Sequence, residues 1–167
     1  MIKYYNEAQR LNGEKFRKQA NGIGFNFYLL AKLPAAYFSG VRVVSFTEES
    51  CKVKIPYKWF SQNPFRSTYF ACLSMAAEMS TGLPCLMAID EMQPKVSMLV
   101  VNLESTFTKK ARDITTFECK DIPAIYEAVY KAIETKEGQT VETITVGYNK
   151  AGDEVARFKI TWSFKSQ

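Results

Sequence analysis

Residues 67–81 read STYFACLSMAAEMST, and almost nothing in that run is polar enough to face water. Tyr69, Phe70, Cys72, Leu73, Met75, Ala76, Ala77 and Met79 fall on every side of a helix, so the spacing predicts one buried nearly all round. Ser67 is placed to act as its N-cap, because its hydroxyl can accept a backbone N–H. Gly82 followed by Pro84 predicts the stop. A single acid, Glu78, sits inside this apolar rod. Leaving a buried charge unpaired is costly, so either a cation beside it or a raised pKa is expected.

A rod without a polar face needs a sheet that curls around it, and the flanking sequence supplies strands. Upstream, Val41 and Val43, then Cys51, Val53 and Ile55, alternate with Arg42, Lys52 and Lys54, the two-residue period of a half-buried hairpin. Glu48-Glu49-Ser50 makes its turn, and a loop follows over Lys58–Pro64. Downstream, Leu86–Ile89, Lys95–Thr108 and Ile114–Cys119 read as strands. Asp121 caps a further helix, with Pro123 in its first turn, Ile122, Ile125, Val129 and Ile133 at helical spacing, and Gly138 at its end. Thr140–Tyr148 and Glu154–Lys165 close the chain as a second hairpin, with Phe158, Ile160, Trp162 and Phe164 on one face.

Before the first hairpin, residues 2–20 place Ile2, Tyr5, Ala8, Leu11 and Phe16 on a stripe against a basic face, which predicts an amphipathic helix. Phe25–Leu33 reads as a second short helix that stops at Pro34, far below the roughly 20 residues a membrane span needs. It is expected to pack on the body or in an interface, with attachment to a membrane surface as the alternative. The fold class is therefore α+β, one structural domain, with a helical extension over residues 1–40 and the main body over 41–167.

Composition narrows the chemistry. The chain has 167 residues, 47% hydrophobic and 14% aromatic, enough for one core. It contains no histidine, which removes Ser-His-Asp and Cys-His catalysis and leaves proton transfer to carboxylate, Lys, Tyr or Cys. Cys51, Cys72, Cys85 and Cys119 form no CxxC pair, so no metal site is expected, and they read as reduced thiols of a cytoplasmic protein. A net charge of +5 favours an anionic partner. No nucleic-acid reader motif accompanies it, and no nucleic-acid partner is expected.

Asn63-Pro64-Phe65-Arg66-Ser67-Thr68-Tyr69-Phe70-Ala71, followed by Glu78, resembles the motif of hotdog-fold thioesterases of the phenylacetyl-CoA type. In that family an Asn and a Gly-containing turn precede His-Gly-Gly, and a carboxylate lies well inside the central helix. Asn102–Arg112 is similar to the family's strand that ends in a basic or polar kink. The resemblance covers roughly Val41 to Lys165 and points to a branch whose members are mostly described as domains of unknown function. It implies a curved antiparallel sheet wrapped around a long central helix, here with extra N-terminal helices.

The resemblance further implies an acyl-CoA or acyl-carrier-protein thioesterase, acting as a homodimer or tetramer and needing no cofactor beyond the CoA of its substrate. Glu78 would be general base or nucleophile, the Phe70 amide would face the developing oxyanion, and Asn63 would orient water or substrate. Tyr69, Ser67 and Arg66 would line the substrate site, and Lys109, Lys110 and Arg112 would meet CoA phosphates. Tyr69 stands in place of the family's His, Phe70 and Ala71 in place of the Gly pair, and Arg66 in place of the turn Gly. A non-catalytic hotdog module that binds an acyl chain or acts as an oligomeric scaffold is the alternative.

Overall fold

The computed structural model describes Ile2 and residues 6–167. Its elements run α1 (Glu7–Ala20), α2 (Gly24–Lys32), α3 (Pro34–Ser39), β1 (Arg42–Phe46), β2 (Cys51–Ile55), a 3-10 turn (Trp59–Ser61), α4 (Phe70–Ile89), β3 (Val96–Phe107), β4 (Thr115–Cys119), α5 (Ile122–Thr135), β5 (Gln139–Tyr148) and β6 (Glu154–Ser166). Six strands form one antiparallel sheet in the order β1-β2-β4-β5-β6-β3. The sheet bends around α4, which packs on β2, β4, β5, β6 and β3, while α5, α1 and α3 cover its other sides. This is the enclosed helix and curved sheet that the sequence calls for.

The inward face of β6 carries Phe158, Ile160, Trp162 and Phe164, all buried, as the alternation predicts. Phe117 of β4 meets Phe158 edge-on, with ring centroids 5.5 Å apart. Gly147 of β5 is paired with Phe117, and a Cβ there would stand 2.6 Å from the Phe117 ring. Gly147→Ala is therefore expected to cost about 1–3 kcal/mol through overpacking, read as a lowered denaturation midpoint. Cys51, Cys72, Cys85 and Cys119 are all free and buried; burial pushes the Cys119 thiol up to about 12.

Several boundaries differ from the sequence reading. α4 does not stop at Thr81. It runs through Gly82 and Pro84 to Ile89, so Leu86–Ile89 is its last turn and not a strand. An interior proline costs a helix roughly 3 kcal/mol, but thirteen of the twenty α4 residues are buried, and that tertiary burial outweighs the lost N–H. Gly82 is needed for contact and does not act as a stop. A Cβ there would lie 3.1 Å from Glu78 Oε1 and 3.3 Å from two carbons of the Trp162 ring.

Ser67 does not cap α4, because its hydroxyl is engaged with Asn63; Tyr69 is the N-cap, and its side chain accepts no backbone N–H. Asp121 stands at the N-cap of α5, but its Oδ2 accepts the Ile144 N–H at 2.6 Å and caps nothing. α5 ends at Thr135, before Gly138, with Lys136 taking the left-handed conformation at φ 58.

The N-terminal region departs most. The helix predicted from residue 2 is described from Glu7, and Tyr5 of its stripe lies outside the described residues. The buried face of α1 is Gln9, Gly13, Arg17 and Ala20, while Ala8 and Leu11 face outward. Polar bonds hold that face: Gln9 Nε2 donates to the Ala88 carbonyl and Gln9 Oε1 accepts from the Tyr130 hydroxyl. Arg17 pairs with Glu48 at 3.0 Å. α2 buries only Leu29, so most of its apolar residues remain outside the core.

Two directional bonds cross from α4 into the sheet within the apolar core. The hydroxyls of Ser80 and Thr145 lie 2.7 Å apart, and Trp162 Nε1 donates to Thr81 Oγ1 at 3.0 Å.

Candidate active site

The segment between the 3-10 turn and α4 is built by Asn63. Its Oδ1 accepts the N–H groups of Phe65 (3.0 Å) and Ser67 (3.2 Å), and its Nδ2 donates to Ser67 Oγ at 3.1 Å. This is an Asx turn, the local arrangement that competes with regular backbone pairing. Arg66, in the turn, takes φ 58, a left-handed conformation that glycine adopts freely and that costs other residues roughly 1–2 kcal/mol.

Thr68 N–H then donates to the Ala111 carbonyl at 2.7 Å and Tyr69 N–H to the Ser61 carbonyl at 2.7 Å, which pins the start of α4 between two loops. The next amides, Phe70 and Ala71, open the helix and have no acceptor among the described residues. They are the orphan donors that every helix start leaves, and the helix dipole adds partial positive charge at the same place.

A cleft of about 810 Å³ opens over this helix start. Asn63, Ser67, Tyr69, Phe70, Lys109 and Lys110 all line it, together with Leu73 and Phe107. Six of the nine site residues expected from sequence therefore meet around one opening. Arg66 and Arg112 are exposed outside its lining. Lys109 is paired with Asp153 at 3.0 Å, which lowers the Asp153 pKa, whereas Lys110 and Arg112 have no ion-pair partner among the described residues.

Glu78 stands apart from the cleft, two turns further along α4. It is half-buried, with its carboxyl beside Gly82 and the Trp162 ring. It has no hydrogen bond or ion pair to its side chain among the described residues, and burial alone raises its pKa. Its surroundings, Thr81, Gly82 and Trp162, were not read as site residues from sequence. The Gly-x-Pro pair reads as a helix end, and that reading hides the continuing face.

Another cavity, about 850 Å³, lies between α1, α2 and the last turns of α4, lined by Phe16, Phe25, Tyr28, Leu83, Leu86 and Met92 among others.

Comparison with solved structures places this fold. A protein of unknown function from Pseudomonas aeruginosa, described as a probable thioesterase, superposes with a TM-score of 0.73 at 18% identity, covering 92% of this chain and 95% of that one. A mutant thioesterase from the same organism gives 0.62 at 14% identity, with 99% of both chains covered. A thioesterase from Haemophilus influenzae gives 0.57 at 10% identity, over 82% of this chain and 86% of that one. No curated protein matches the sequence. At such identities the likeness establishes the fold, a thioesterase-like hotdog, and leaves the activity to be argued from the site. Residues 25–164 match the family described as a domain of unknown function, DUF4442, and the chain belongs to that family.

Proposed function

We propose that this protein hydrolyses an acyl thioester of CoA or of an acyl carrier protein, with Glu78 as general base or nucleophile. The observation that carries the reading is a carboxyl with a raised pKa and no partner among the described residues, on the central helix whose first amides are equally unpartnered. A general base works best with a pKa near the operating pH, and desolvation moves Glu78 in that direction. As base, Glu78 takes a proton from water while the resulting hydroxide attacks the thioester carbonyl. The Phe70 N–H stabilises the oxyanion, the C–S bond breaks, and the thiolate takes up a proton to leave as free thiol. As nucleophile, the carboxylate would attack the carbonyl and expel the thiolate, which leaves as free thiol after taking a proton from water. A second water would open the resulting acyl-enzyme anhydride to free acid and the Glu78 carboxylate.

One subunit cannot do this alone. Phe70 and Glu78 are eight residues apart on one helix, about 12 Å along its axis, too far for both to reach a single carbonyl. In a two-fold dimer the Phe70 amide of one protomer serves the Glu78 of its partner. The sheet supports such a pairing. β3 is an edge strand of twelve residues, and Leu99, Val101 and Leu103 are exposed on it. A long apolar edge is an association surface unless something covers it. Leu99→Lys combined with Leu103→Lys is expected to give a folded monomer by light scattering with no thioesterase activity; a dimer that survives both changes would move the interface elsewhere.

Lys110 and Arg112 would meet the CoA phosphates, Tyr69, Ser67 and Arg66 would border the bound thioester, and Asn63 would hold the turn that aims the Phe70 amide. No cofactor is required. The test is a panel of acyl-CoA and acyl-carrier-protein thioesters with thiol release as readout. Tight binding of a non-hydrolysable thioether, with no turnover of any thioester, would favour the alternative of a non-catalytic acyl-binding module. That alternative draws on Tyr69, Phe70 and Ala71 standing in place of the His-Gly-Gly of the phenylacetyl-CoA-type motif that the segment resembles.

A further inference from the structure

Cations outnumber acids in one stretch of this chain, although Arg17 and Lys52 within it are paired with Glu48 and Glu118. Residues 15–77 hold nine of the 22 Lys and Arg and only two acids, Glu48 and Glu49; the rest of the chain holds thirteen cations against fifteen acids. The same stretch carries the largest apolar side chains left in water. Trp59 is 82% exposed, Ile23 81% and Phe27 71%, and Leu30, Phe38 and Phe60 are also exposed. Ile23, Phe27 and Leu30 lie at i, i+4 and i+7, one face at the start of and along α2. α2 packs on α3, and α3 on the 3-10 turn, where the Phe38 and Phe60 rings are 6.1 Å apart and Trp59 and Phe60 6.3 Å. The α2 face and the Phe38, Phe60 and Trp59 ring cluster thus sit on elements in direct contact, and we take them as neighbouring parts of one exposed apolar region.

Such a surface is far from neutral for a soluble chain, since exposed apolar groups of this size normally mark an interaction site. Its charge selects the partner. Lys32 ends α2, Lys58 precedes Trp59, and Arg42 lies 4.5 Å over the Tyr37 ring behind Phe38. Pairing with a second copy across a two-fold would set this basic surface against itself. An anionic bilayer offers both halves of the match: phosphate and carboxylate headgroups for the cations, and an apolar boundary for Trp and Phe, which favour that depth.

We infer that the α2, α3 and Trp59-turn surface docks this protein on anionic lipid membranes, lying at the interface without spanning it. This does not depend on the thioesterase reading. Co-flotation of the full chain with phosphatidylcholine vesicles containing about one third phosphatidylglycerol is the test, with pure phosphatidylcholine as control. Binding is expected to the anionic vesicles only, and to fall as salt rises from ~0.1 to ~0.5 M. Phe27→Ser with Trp59→Ser should weaken it roughly tenfold or more, and Lys32→Glu should weaken it without an apolar change.

The chain has two tryptophans, and Trp162 is 3% exposed. A blue shift on vesicle addition would therefore come from Trp59, and Trp59→Phe should abolish the shift while keeping flotation. Absence of flotation on the anionic vesicles, or flotation unchanged in the Phe27/Trp59 variant, overturns the inference. So does a Phe27/Trp59 variant that loses a subunit in light scattering, which would assign the surface to a second copy.

Discussion

Glu78→Gln should remove thioester hydrolysis almost entirely, a fall of roughly 10²–10⁴-fold in kcat, because proton transfer by a positioned group contributes about that much. The same change should make the protein more stable at neutral pH. Burial raises the Glu78 pKa in the folded state above its ordinary value of 4.5. For an acid shifted upward, the folded form binds the proton more tightly than the unfolded one. The stabilisation from the protonated form is fully present below the unfolded pKa and is lost as pH rises through the folded pKa. Glutamine has no such loss.

Denaturant midpoints of the two proteins should therefore draw together on acidification toward pH ~4 and separate at pH ~7.5, with the variant ahead. An active Glu78→Gln protein would end the catalytic assignment. A midpoint difference that stays constant with pH would mean that the carboxyl is not held in a desolvated place.

Trp162→Ala is expected to cost about 3–5 kcal/mol, the range for deleting a large buried aromatic side chain. Trp162 is fully enclosed, fills the space opposite Gly82, and is the donor to Thr81 Oγ1. The substitution would leave a cavity against α4 and remove the N–H donor to the Thr81 hydroxyl at once. Trp162→Phe separates the two effects, since it keeps most of the ring and loses only the bond, for a cost nearer 1 kcal/mol from that source. Chemical denaturation of both variants checks this; near-equal losses would mean that packing at this wall matters little.

Strands and their faces could be read from the sequence because period two survives wherever one side of the sheet meets the core. β6 is the clear case: every second residue from Phe158 to Phe164 is buried. The central helix was legible in kind but not in length. Gly82 and Pro84 are local stop signals, and a residue-by-residue reading has no access to the Trp162 ring that requires a side-chain-free position at Gly82, or to the burial that tolerates Pro84. The α1 face was legible at Phe16, which packs against the core, but not at Ala8 and Leu11, for a related reason. Gln9 and Arg17 point inward because carbonyl, hydroxyl and carboxylate partners from distant segments await them, and hydrophobic periodicity is blind to polar burial.

At the site, four residues of the loop motif, Asn63, Ser67, Tyr69 and Phe70, and Lys109 and Lys110 line one cleft, while Glu78, Arg66 and Arg112 lie outside its lining. The distance between Glu78 and the helix start was in the numbering all along, as eight residues of helix. The proposed two-fold pairing of this helix draws as well on β3 standing at the edge of the sheet, which no local pattern in the sequence states.

A cylinder coated with methyl and thioether groups, lodged in an equally greasy trough, has many rotational settings of nearly equal energy. The Ser80–Thr145 and Thr81–Trp162 links break that degeneracy, because a hydroxyl bond is satisfied at one azimuth and one axial position only. Thr81 lies three residues beyond Glu78 and donates to its carbonyl, so the angle at which the acid leaves the helix is indexed to the sheet by its immediate neighbours. Aim, for this carboxyl, is set by two anchors that never touch it.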